Sequence, residues 1–151
     1  MTISRGIPIS VSYESPPSVV ARAFWPRTGS ETSVNFIVDT GAFDILLSMD
    51  TVTKLGGSRN DLVPSRLRVE GVGGRVSPSE MQDVALVFEC EGRQTWDVFM
   101  HRINVLTDQR HQGAKSGGAP TPNLLGRAFM EEHRMVLHWD FGTRIAYIEL
   151  P

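Results

Sequence analysis

Apolar residues in this chain come in short runs rich in β-branched and aromatic types, with turn-forming residues between one run and the next. Such runs, closed off at short intervals, specify strands and leave little room for helices. The pattern predicts strands over 7–13, 19–25, 34–38, 45–47, 67–69, 84–88, 95–99, 103–106, 135–139 and 145–150. The stretch 34–38, Val-Asn-Phe-Ile-Val, reads as a strand buried on both faces, and 145–150 as central in a sheet. Two stretches suit helices: 49–55, with Ser48 as N-cap and Gly56 as stop, and 127–133 after Gly126. Many short strands and so little helix predict an all-β domain, a barrel or a sandwich.

A chain of 151 residues supports one domain with a real core, and 40% hydrophobic with 21% charged residues is a globular composition. The net charge of −2 lacks the basic excess of a nucleic-acid-binding surface. No apolar run approaches the roughly 18 residues of a membrane span, and the first residues lack the apolar segment of a signal peptide. A cytoplasmic protein with no membrane and no nucleic-acid partner is therefore expected, and Met1 suggests a free-standing product. Cys90 is the single cysteine, which excludes an internal disulfide and a thiolate zinc cage. His101, His111, His133 and His138 fit no zinc spacing, and no Gly-x-Ser-x-Gly elbow is present. No metal and no cofactor are expected. The segment 107–122 has no aliphatic residue larger than Ala, which predicts a mobile loop.

Three short motifs carry the chemistry. Phe36-Ile37-Val38 runs straight into Asp39-Thr40-Gly41-Ala42, so an apolar strand ends on a carboxylate. Burying an unpaired charge is costly, so a carboxylate there points to a task. Gly71-Val72-Gly73-Gly74 lies between two strand-like segments, as in a glycine-rich hairpin. No Gly-Lys-Ser/Thr follows it, which argues against a phosphate loop. Asn123-Leu124-Leu125-Gly126-Arg127 is a short apolar strand that stops at a glycine before a helix.

In this order and spacing the chain resembles the retroviral-type aspartic proteases, the retropepsins, over roughly 19–139. Asp39 precedes the tip residue Val72 by 33 positions, which suits the family, and Gly126 by 87, longer than in the viral enzymes because of 107–122. The resemblance implies a closed barrel-like acid-protease fold with one short C-terminal helix, forming a single lobe of a homodimer. It implies an aspartic endopeptidase in which Asp39, Thr40 and Gly41 form the catalytic motif. Ala42, Asp44, Gly71, Val72, Gly73, Gly74 and Leu124 would contact a peptide or protein substrate, and 71–74 would form the flap. Hydrolysis in this family needs two carboxylates that share one proton. The chain has one Asp-Thr-Gly, so the second carboxylate must come from a second copy. A retropepsin fold that dimerises or binds peptides without useful catalysis is the alternative, and the intact motif counts against it.

Two departures stand out. Viral members often carry an acidic residue where this chain has Phe43, which puts that residue's contacts with substrate backbone and arginines in question; Asp44, one residue on, is expected to take over part of the role. The hairpin expected over 135–150 makes the chain more similar to cellular and bacterial retropepsin-like proteins than to compact viral ones.

Overall fold

The computed structural model describes residues 6–65, 69–71, 74–76, 78–107 and 122–151, with 69–71 and 74–76 described as backbone. The expected loop falls almost entirely on 108–121, outside the described residues, as do Val72 and Gly73.

Six strands close on themselves. They are β2 (Ser18–Trp25), β3 (Ser30–Val38), β10 (Asn123–Leu125), β4 (Leu46–Ser48), β9 (Gln94–Leu106) and β8 (Ser79–Cys90), with β8 returning to β2. A two-residue strand, β5 (Val63–Pro64), pairs with β8 outside this ring. β6 (Val69–Gly71) and β7 (Gly74–Val76) form a separate antiparallel pair. β1 (Gly6–Pro8), β12 (Ile145–Glu149) and β11 (Val136–Asp140) make a three-stranded sheet with β12 in the middle. The helices α1 (Met49–Lys54) and α2 (Arg127–Glu132) are both one to two turns long. The fold is the expected all-β barrel.

The barrel forms because its strands alternate. In β2, Val19, Ala21, Ala23 and Trp25 point inward and are buried, while Val20 and Phe24 face out. Phe88 stacks on Phe36 at a centroid distance of 6.0 Å and meets Phe129 in a tilted contact at 6.1 Å, which ties β3 and β8 to α2. Trp25 donates its indole N–H to the Gln82 carbonyl at 3.0 Å, so its polar edge is satisfied where its ring is buried. At α1 the Ser48 hydroxyl accepts from the Thr51 N–H, the cap read from the sequence.

Three strand expectations need correction. The stretch 34–38 is not buried on both faces: Asn35 is exposed and Ile37 half-buried, as a barrel wall requires. The strand expected over 7–13 stops at Pro8, followed by one isolated bridge between Ser10 and Ser18. Beyond it the Ser12 hydroxyl accepts from the Glu14 N–H at 3.1 Å, a local bond that competes with the ladder. The segments 95–99 and 103–106 are one strand, β9. Of the strand expected over 67–69, Val69 opens β6, and 67–68 lie outside the described residues.

The terminal sheet buries Ile7 and Ile148 against the barrel and leaves Val136, Phe141 and Ile145 at least half exposed. Its hairpin turn is set by Asp140, whose Oδ1 accepts from the Gly142 and Thr143 N–H groups at 2.8 and 3.1 Å. Those bonds, that from Thr143 above all, hold the Asp140 carboxyl below its usual value.

Candidate active site

β10 lies between β3 and β4, parallel to the first and antiparallel to the second. The chain therefore leaves β3, crosses the end of β10 and returns down β4. The crossing is the loop 39–45, and Asp39 opens it. Its backbone N–H donates to the Leu125 carbonyl at 3.1 Å, which pins the loop to β10. Asp39 Oδ1 accepts from the N–H groups of Gly41 and Ala42 at 2.9 and 3.2 Å. These bonds fix the carboxylate over its own turn. A Cβ at position 41 would stand 3.1 Å from that oxygen, so Gly41 gives the carboxylate room. Asp39 is half-buried, while Thr40 and Gly41 are exposed at the crest of the loop.

The far side of the loop leans on α2. The first amides of a helix have no partner within it. Here the Arg127 N–H donates to the Ala42 carbonyl at 2.9 Å and the Ala128 N–H to the Phe43 carbonyl at 2.7 Å. Gly126 permits the approach: a Cβ there would lie 2.6 Å from the Asp44 carbonyl carbon and 2.7 Å from its nitrogen. The Phe43 side chain is 56% exposed. The Arg127 guanidinium meets Glu131 along its own helix at 3.4 Å.

Asp44 turns inward. Its Oδ1 accepts from the Ile45 N–H at 2.7 Å and its Oδ2 from the Asn104 amide at 3.2 Å. Burial raises its pKa above the usual carboxylate value of 3.8; the Ile45 bond opposes this, and the Glu132 charge adds to it. Folding therefore takes up a proton at Asp44 as pH rises from 3.8 towards the raised value. Stability is lost across that window and stays lost above it. Asp44→Asn is expected to melt above wild type at pH 7, with the gap closing below 3.8 in thermal scans from pH 3 to 7. A gap that widens on acidification would contradict this sign.

The structure thus brings Asp39, Thr40, Gly41, Ala42 and Asp44 onto one loop, beside Leu124 in the adjoining strand. Leu124 is half-buried and stands in register with Ile37 and Leu46. Gly71 and Gly74 face each other across β6 and β7. Sequence reasoning missed Asn104, whose signal was an amide between the apolar Ile103 and Val105. Among the described residues, no group of three His, Cys, Asp or Glu side chains is placed to hold a metal, and no helix is long and apolar enough to cross a membrane.

This barrel, crossed by a carboxylate-bearing loop, is the retropepsin-like acid-protease fold. A retropepsin-like aspartic protease from Rickettsia conorii is similar at TM-score 0.55 and 20% identity, over 96% of this chain and 90% of that one. EIAV protease, solved with the inhibitor HBY-793, is similar at TM-score 0.49 and 19% identity, over 82% and 92%. No family model and no curated protein matches the sequence.

Proposed function

We propose that the chain is an aspartic endopeptidase that works as a C2 homodimer. The observation that carries this is Asp39, held by two backbone amides at the crossing loop of a retropepsin-like barrel. Two Asp39 carboxylates at the axis hold one proton between them. The ionised one takes a proton from water as its oxygen attacks the peptide carbonyl carbon, and the protonated one gives its proton to the carbonyl oxygen. The resulting diol collapses, the C–N bond breaks, and the amine leaves with a proton. Thr40, exposed on the crest, braces the two loops across the axis. Val72 and Leu124 line apolar pockets, Ala42 and backbone groups of Gly71, Gly73 and Gly74 meet the peptide, and Asp44, tied to the Ile45 N–H and the Asn104 amide, holds the loop.

The subunits meet through the terminal sheet and its hairpin turn, where Val136, Ile145 and the turn residue Phe141 are exposed in the single chain. Obligate interfaces of this kind bury more than about 2,000 Å² in total. Sedimentation at micromolar concentration should give a dimer, and Ile145→Glu should shift it to monomer with loss of cleavage. A clean monomer that cleaves peptides would overturn the two-chain site. The test of activity is digestion of a mixed peptide library between pH 4 and 7, with a pepstatin-like inhibitor and the Asp39→Asn control. Cleavage between large apolar residues is expected. A dimer that cleaves nothing supports a binding module instead.

A further inference from the structure

β9 carries an amide through the barrel core. Asn104 is 6% exposed, between Ile103 at 1% and Val105 at 0%. Its Nδ2 donates to Asp44 Oδ2 at 3.2 Å, and its Oδ1, at 3.4 Å, shares the Ser65 hydroxyl proton with a nearer acceptor. That hydroxyl also lies 3.1 Å from Glu80 Oε1 on β8, and the Ser65 N–H donates to the Pro78 carbonyl at 3.1 Å. One carboxamide therefore joins the crossing loop to Ser65 and, through it, to β8. An apolar side chain would fill the same space without desolvating an amide, so the polar residue adds orientation more than stability.

The orientation falls on Asp44. Its side chain is held by Asn104, while its backbone packs directly on Gly126. The other buried polar side chains among the described residues, Ser48 and Thr51, sit at the far end of β4. There the Asn123 Oδ1 accepts from the Ser48 N–H at 2.8 Å and the Thr51 hydroxyl at 2.9 Å. The short strand β4 is thus gripped at both ends by a carboxamide from a neighbouring strand. We infer that Asn104 is a positioning residue: by holding Asp44 it fixes the loop that presents Asp39. The inference rests on the peptidase reading for its effect on rate, and on the geometry alone for its effect on the loop.

Two variants and two readouts test it. Asn104→Leu keeps the volume and removes both hydrogen bonds. Asn104→Asp keeps the shape and sets a second carboxyl against Asp44, with Glu80 and Glu132 as further acids nearby and Arg102 the cation beside Glu80. Displacing a reacting group by about 1 Å costs on the order of 10²-fold in rate. Asn104→Leu should therefore lower kcat about 10- to 100-fold, with KM within about threefold, in protein shown to be folded and dimeric at the assay temperature. Asn104→Asp should be impaired at pH 7 and recover towards wild type on acidification, as the carboxyl pair takes up a proton; Asn104→Leu should not recover. Independently of activity, Asn104→Leu should speed amide hydrogen exchange at Gly41, Ala42 and Ile45 and leave β11 and β12 unchanged. If wild type cleaves no peptide, the peptidase reading falls and the exchange data alone decide whether Asn104 anchors the loop. Wild-type exchange at those amides, or a lowered melting temperature with kcat unchanged, would overturn the positioning role.

Discussion

Asp39→Asn is expected to leave the barrel folded and to remove peptide hydrolysis. The amide is nearly isosteric, and its Oδ1 can still accept from the Gly41 and Ala42 N–H groups that hold the native side chain. The loop therefore keeps its shape, and the melting temperature should change little. The amide cannot take a proton from water, and general acid–base roles are worth at least ~10²–10⁴-fold in rate. A mixing experiment makes the prediction sharper. If each site needs one Asp39 from each of two chains and the subunits exchange freely, only wild-type pairs are active. An equal amount of Asp39→Asn protein then lowers wild-type activity to about half, and a tenfold excess to roughly one-eleventh, by random pairing. A site complete within one chain would lose nothing on mixing. Subunit exchange should be checked by mass with one partner isotopically labelled, so that unaltered activity in a fully exchanged mixture counts against the dimeric site.

The close turn of the Asp39 loop was legible because its signal is local. Phe36, Ile37 and Val38 lead into Asp39 with no intervening turn residue, and Gly41 and Gly126 mark the places where backbone comes close. Strand identities were legible wherever the inward positions alternate without interruption, as along β2. They failed where the alternation slips. In β8 the buried positions run Met81, then Val84 and Leu86; in β9 they run Val98, then Ile103 and Val105. Asp83, at a φ of 58°, takes up the slip on one strand, and its partner His101 lies opposite at 3.5 Å. A single strand whose phase changes partway looks in sequence like two strands. Asn104 was invisible for a different reason. Its partners Asp44 and Ser65 are 60 and 39 positions away, and nothing local in Ile103-Asn104-Val105 says which groups the amide will meet. The terminal strand 7–13 misled because Val11 and Tyr13 are apolar, yet Ser12, Ser15, Pro16 and Pro17 turn the chain before a ladder can form.

Gly126→Ala should be among the most damaging single-methyl additions. The new Cβ would meet the carbonyl carbon and nitrogen of Asp44 at 2.6 and 2.7 Å and come closer still to the Asp44 oxygen. These are backbone atoms, so no rotamer change relieves the contact; either the loop or α2 must retreat. Retreat stretches the bonds from the Arg127 and Ala128 amides to the Ala42 and Phe43 carbonyls. Overpacking costs about 1–3 kcal/mol, occasionally more. Two weakened hydrogen bonds add roughly 0.5–1.5 kcal/mol each. Against a typical total stability of about 5–15 kcal/mol, that is a large fraction. At roughly 2–4 °C per kcal/mol for a domain near this size, the melting temperature should fall by about 10 °C. Gly92→Ala is the comparison: its φ of 71° strains any side chain, but nothing stands within 4 Å of the added methyl. Backbone strain alone costs about 1–2 kcal/mol there, so it should melt only a few degrees below wild type. The variants should differ in activity as well. Gly92 sits in the turn between β8 and β9, where the added methyl meets nothing within 4 Å, and its folded protein should keep wild-type kcat. The folded fraction of Gly126→Ala should lose kcat, because the loop that holds Asp39 either moves or loses the α2 amides that brace it. Equal melting temperatures for the two variants, or full activity in folded Gly126→Ala protein, would mean that the contact between α2 and the Asp39 loop is far looser than this geometry requires.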